Sequence, residues 1–117
     1  MAVSISTSGS QTATLTTQHT LATISTAGVF VLAVNLINLA DGEDVELKAY
    51  LAVDTLDDRN LVYQQTYTHK QGDGTADTGS GMVVALSPPI PSPISIRFTL
   101  EQNGGSGRVF DWAIYVL

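Results

Sequence analysis

Three stretches of this chain, "VELKAYLAV", "ISIRFTLE" and "VFDWAIYV", place apolar residues at every second position, and no other feature limits the fold as strongly. Successive side chains of a β-strand point to opposite faces, so a period of two gives each strand one face for a core. Val45, Leu47, Ala49, Leu51 and Val53 form such a face in the first stretch, with Glu46, Lys48 and Tyr50 opposite. Ile94, Ile96, Phe98 and Leu100 do so in the second, against Ser95, Arg97, Thr99 and Glu101. Phe110, Trp112, Ile114 and Val116 do so in the third, against Asp111, Ala113 and Tyr115. No segment carries the three-and-four spacing of an amphipathic helix.

"GVFVLAVNL" is apolar on both faces and rich in β-branched residues, which predicts a central strand covered on both sides, or on one of them by a partner subunit. "NLVYQQTYTHK" reads as a weaker strand with Tyr63 and Tyr67 on one face, and "GMVVAL" as a short one. Between them lie "LADGED", "DTLDDRN", "KQGDGTADTGSG" and "QNGGSG", whose Gly, Asp and Asn supply the backbone conformations of turns. Half of residues 1–26 are Ser or Thr. "VSIST", "TATLTT" and "HTLATIST" nevertheless alternate, so this N-terminal arm is read as first strands, held by the domain's own sheet or by a neighbouring chain. The whole predicts an all-β fold: one antiparallel β-sandwich domain over residues 1–117, of about eight strands, with jelly-roll or Greek-key connections.

All four prolines, Pro88, Pro89, Pro91 and Pro93, fall in "SPPIPSPIS". A docking motif for a proline-reading partner has flexible flanks and a basic neighbour, whereas here strands flank the run and the nearest basic residue, Arg97, lies inside one. The run is therefore expected to be a stiff connector crossing from one sheet to the other, with an edge poor in hydrogen-bond donors.

Charge and composition exclude several functions. Eleven acidic residues against five basic ones leave a net charge of −6, which repels phosphate backbones and anionic lipid, so neither nucleic acid nor a membrane is an expected partner. With no cysteine there is neither a disulfide framework nor a thiolate metal site. "MAVSISTSGS" lacks the basic and apolar regions of a secretory signal, so synthesis in a cytoplasm is expected. "AGVFVLAVNLINLA" is shorter than the roughly 20 residues of a membrane helix, and Asn35 and Asn38 interrupt it.

Catalytic chemistry finds little to build on. His19 and His69 sit in strand-like runs with no nucleophile elbow or oxyanion loop beside them, and two histidines without cysteine make a poor zinc site. Asp41, Glu43 and Asp44 in one loop and Asp73 and Asp77 in another bring carboxylates next to glycine, as calcium loops do, but the spacing is not that of an EF-hand and turn formation accounts for them. Tyr50, Tyr63, Tyr67 and Tyr115 suit either a sugar-stacking platform or ordinary strand positions with a wet tip; the second reading needs no clustering and is preferred. The expectation is a protein with no enzyme activity, no cofactor and no metal.

Taken in order, "AGVFVLAVNLINLADGEDVELKAYLAV", "ALSPPIPSPISIRFTLEQ" and "GGSGRVFDWAIYVL" resemble a pattern found in small structural proteins of tailed bacteriophages. Its parts are an apolar strand, an acidic Gly turn, an alternating strand, a proline approach and a closing Gly-x-Gly-Arg-x-Phe-Asp-Trp strand, and it covers roughly residues 27 to 117. The resemblance implies a capsid decoration or cement protein, localised on the virion surface after synthesis in the host cytoplasm. Its partner would be the major capsid protein lattice, and it would act as a homo-oligomer, a trimer at local three-fold positions being favoured. The alternative is a tail, fibre or head-fibre module that binds host surface glycans. In the cement reading the Ser/Thr-rich arm contacts the lattice by adding a strand to a neighbouring sheet edge.

Overall fold

A computed structural model describes residues 2–72, 79 and 81–117. They form nine strands: β1 (Ser4–Thr12), β2 (His19–Ile24), β3 (Gly28–Asn35), β4 (Asp44–Leu51), β5 (Asn60–Thr68), β6 (Val84–Leu86), β7 (Ile90–Ser92), β8 (Ile96–Asn103) and β9 (Val109–Val116). Every pairing is antiparallel, in two sheets. One sheet runs β1-β9-β3-β6, with β7 also on β3, and the other runs β2-β8-β4-β5. Here they are called the β1 sheet and the β2 sheet. This interleaving of early and late strands is a jelly roll, and the sandwich expected from alternation is the fold observed.

The alternation works as anticipated. Val45, Leu47 and Ala49 of β4, Ile96, Phe98 and Leu100 of β8, and Phe110 and Ile114 of β9 join Phe30, Leu32 and Val34 of β3 in one buried cluster between the sheets. Each of the three phenylalanines is at most 1% exposed, and burying a side chain of that size contributes about 2 kcal/mol. Val53 departs from the pattern. β4 ends at Leu51 and Val53 is 71% exposed, because the chain there has left the sheet for the turn that leads to β5.

The N-terminal arm is built into the molecule. β1 pairs with β9 from Ser4↔Val116 to Thr12↔Val109, and β2 pairs with β8, so the arm forms edge strands of this chain's own two sheets.

The prolines also differ from expectation. They do not cross between sheets; three of them lie along one edge of the β1 sheet and split what would be a single strand into β6 and β7. Between the pairs Ala33↔Leu86 and Phe30↔Ile90, β3 has Val31 and Leu32 while the edge has Ser87, Pro88 and Pro89. That one extra residue is a β-bulge. Ser87 holds it in place. Its N–H donates to the Leu32 carbonyl at 2.9 Å, and its hydroxyl accepts the Leu32 N–H at 2.9 Å where a backbone carbonyl would ordinarily serve. Pro91 faces Val29, whose carbonyl already accepts the Leu117 N–H, so Pro91 occupies a non-hydrogen-bonded pair and its missing donor lies on the free side. Only Pro93 belongs to the crossing from β7 to β8.

Candidate interaction surface

The two outer faces of the sandwich carry opposite chemistry. On the β2 sheet the outward residues of β4 and β8 are Asp44, Glu46, Lys48, Tyr50, Arg97, Thr99, Glu101 and Asn103, paired in register. Lys48 lies 3.1 Å from Glu46, and Gln64 Nε2 donates to Glu46 at 2.6 Å. Arg97 stacks over the Tyr50 ring at 4.7 Å from its centroid, and Gln18 Nε2 donates to the Tyr50 hydroxyl at 2.9 Å. Most of these groups engage one another, while Arg97 Nε is buried without a hydrogen-bond partner.

On the β1 sheet the outward residues alternate with Phe30, Leu32 and Val34 of β3 and with Phe110 and Ile114 of β9. They are Val29, Val31, Ala33 and Asn35 on β3 and Val109, Asp111, Ala113 and Tyr115 on β9, so the face is largely apolar with one carboxylate, Asp111, which accepts a hydrogen bond from the Ser10 hydroxyl of β1. Neighbouring strands extend this face with Ile5, Val84 and Leu86, which are 63%, 52% and 56% exposed. Ala33 and Ala113, directly opposite one another, are too small to fill the space between their neighbours. A shallow groove of about 210 Å³ results, bordered by Asn35, Val84, Asp111 and Tyr115. The molecule measures 43 × 33 × 19 Å, and its short axis accommodates two sheets about 10 Å apart. The two-sided apolar pattern of "GVFVLAVNL" thus has one side in the core, and over the other, where Val29 and Val31 are half-buried and Ala33 is buried, no further strand of the described residues lies. Exposed apolar residues grouped on a flat surface mark an interaction site more often than scattered ones do.

A second constellation fastens one end of the sandwich. Glu43, 4% exposed, sits in the β3–β4 turn, and Arg108 in the β8–β9 loop donates to it through Nε (3.1 and 3.0 Å) and Nη2 (2.8 Å). The carboxylate also accepts the backbone N–H groups of Ala40 (3.0 Å) and Ser106 (3.2 Å). The Arg108 guanidinium holds the Glu43 carboxyl down at about 2 against the opposing effect of burial, and the two backbone donors add to the lowering. Gln102, fully buried at the end of β8, completes the loop. Its Nε2 donates to the carbonyls of Gly104 and Ser106, and its Oε1 accepts the Arg108 N–H at 2.9 Å. Gly105 has φ +69°, and a Cβ there would fall 2.3 Å from Glu43 Cγ, so both backbone and space require glycine. The acidic Gly turn and the Gly-x-Gly-Arg strand, separate features of the sequence, are therefore two halves of one clasp.

The other residues singled out from sequence are dispersed. Glu43 is engaged by Arg108, Asp41 accepts the Lys70 N–H at 3.3 Å, and Asp44 lies within β4; Asp73 and Asp77 fall outside the described residues. Among the described residues no three His, Cys, Asp or Glu side chains group in a way that would hold a metal ion. His19 Nε2 accepts the Thr14 N–H at 2.9 Å at the start of β2, while His69, with φ +64°, closes the end of β5 and donates its N–H to the Glu43 carbonyl. Tyr63 and Tyr67 turn inward against the core, and burial, reinforced by Tyr67, pushes the Tyr63 phenol up to about 12. Tyr50 and Tyr115 lie on opposite outer faces. The four tyrosines form no common platform. Arg108 and Gln102 had no assigned role in the sequence reading; the available signal was a glutamine in the core-facing register directly before a Gly-rich loop.

No protein-family model, curated protein or solved structure matches the chain. Its function has to be argued from these surfaces and from the motif order.

Proposed function

We propose that the protein is a non-enzymatic structural component of a bacteriophage virion, a capsid decoration or cement protein that lays the outer face of its β1 sheet on the major-capsid lattice. Jelly rolls occur in viral shells and in lectins alike, so the fold by itself favours neither a shell nor a glycan. The uncovered apolar face carries the reading: it suits a dry protein surface, whereas a glycan site would gather aromatic rings and polar groups that here are spread over three surfaces. The motif order supports the same class. A protein that binds the assembled lattice better than free subunits stabilises the shell by linkage, and many copies per particle make modest contacts sufficient.

The test is to locate the chain in intact particles by density and count its copies. Cement predicts copies repeating with the lattice, Val84 and Leu86 toward the shell, and particles without the protein that break at lower temperature. A handful of copies at the tail would instead support the glycan-binding tail or fibre module, and shells equally stable without the protein would remove the cement role.

A further inference from the structure

The β1 sheet has two edges of different kinds. At β6 and β7, Pro88, Pro89 and Pro91 remove donors and the bulge at Ser87 bends the strand, both of which prevent another strand from adding there. β1, nine residues long, has no proline and no charge; indeed no Asp, Glu, Lys or Arg precedes Asp41. The hydrogen-bond alternation shows which of its groups are free. Val29 turns its carbonyl to Leu117, so β9 meets β3 through Ala113 and Tyr115 and meets β1 through Phe110, Trp112 and Ile114. Their partners Gln11, Gly9 and Thr7 face inward, which leaves the N–H and C=O groups of Ser8 and Ser10 directed outward. A register shift between Ile5 and Thr7 confines the regular edge to Thr7–Thr12.

We propose that two copies of this chain pair edge to edge through β1, antiparallel about a two-fold axis at Gly9 that sets Ser8 of one copy opposite Ser10 of the other, and so join their two β1 sheets into one. Three observations select a second copy as the occupant. Self-pairing satisfies donors and acceptors reciprocally, because the residues of an antiparallel pair exchange both bonds. β1 carries no charged residue, and the carboxylate beside it, Asp111 of β9, is engaged by the Ser10 hydroxyl, so in a chain of net charge −6 two copies approach along this edge with little repulsion. The proline-blocked opposite edge prevents β1 from adding head to tail onto the same sheet of the next copy, so pairing within this sheet closes at two. The joined sheets would place two apolar outer faces side by side. This pairing differs from the three-fold assembly that the resemblance implies, and it holds whether or not a shell is the target.

Sedimentation equilibrium of the full chain tests it. The expected species has twice the 12.4 kDa mass of the chain. Ser8→Pro with Ser10→Pro removes the outward donors without touching the bonds to β9, and should raise the dimer dissociation constant about a hundredfold. Should the proline pair disturb β1 itself, seen as a lowered melting temperature, Ser8→Glu keeps every backbone group and sets its carboxylate across the axis from Ser10 and Asp111 of the other copy, with the same expected loss. Ser8→Ala with Ser10→Ala should leave the dimer intact, because the backbone carries the pairing. A monomer at millimolar concentration, a trimer, an open-ended series of larger species, or a dimer that survives Ser8→Glu overturns the proposal.

Discussion

The outer faces of the two sheets are built on the same alternation and end in opposite surfaces. Outward positions on β4 and β8 hold Glu46, Lys48, Arg97 and Glu101, with Lys48 paired to Glu46 and Arg97 stacked on Tyr50; outward positions on β3 and β9 hold Val29, Val31, Ala33, Ala113 and Tyr115, interrupted by Asn35 and Asp111. A polar outer face costs a sandwich nothing, since water satisfies it. An apolar one gives up stabilisation that burial would supply, at roughly 25 cal/mol per Å², and is expected where a partner supplies the cover. The difference between the faces is what the proposed capsid contact rests on, and each of the following changes acts on it.

The largest effect is expected from charging the apolar face. Val84→Asp with Leu86→Asp should weaken binding to shells about a thousandfold, near 4 kcal/mol, because two carboxylates would be desolvated against protein. The same load on the other face, Gln64→Asp with Thr66→Asp, should leave binding within about twofold, both positions being exposed on β5 and remote from the contact. Equal losses from both pairs would erase the asymmetry.

Next comes the clasp, which ties the β3–β4 turn to the β8–β9 loop and so fixes one end of both sheets. Glu43→Ala should cost about 3 kcal/mol in urea unfolding, since it removes the acceptor of Arg108 and leaves the Ala40 and Ser106 N–H groups without a partner. Shell binding by the fraction still folded should not change, which separates the clasp from the face. The pH dependence follows from the same group. Its carboxyl ordinarily titrates near 4.5 and is held at about 2 when folded, so this stabilisation is complete above pH 4.5 and is lost as the pH falls towards 2. Glu43→Gln should flatten that part of the acid unfolding curve, and a curve identical to the wild type would assign acid sensitivity to other carboxylates.

Smallest is the polar face itself. Lys48→Met breaks the contact with Glu46, an ion pair only partly exposed whose carboxylate keeps its Gln64 donor, and should shift stability by about 1 kcal/mol or less in the same urea titration, with binding unchanged.

Much of this was readable in the sequence because alternation is local. Leu47, Phe98 and Ile114 could be assigned to the core from their neighbours alone, and the double-sided "GVFVLAVNL" announced that something more than a simple half-buried strand was present. What escaped depends on pairing between distant segments. The prolines were recognisable as unfit for a central ladder, but that they split an edge strand follows only from the register against β3, where Ser87 lies opposite Leu32. The Ser/Thr-rich start alternates like a strand, yet nothing within it says that its partner is the last strand of the chain. Glu43 meets Arg108 across 65 positions, and before that contact is known Glu43 looks like one more acidic turn residue. Val53 was misplaced for the converse reason: alternation continued in the sequence past the point where the sheet ended.

The central claim is that one outer face, and only one, is covered when the protein does its work. Hydroxyl-radical footprinting of the free protein and of protein bound to particles measures this directly, because each face carries its own tyrosine. The account predicts that Tyr115 and Leu86 become protected on binding while Tyr50 reacts as before. Protection of Tyr50 with Tyr115 and Leu86 unchanged would contradict it.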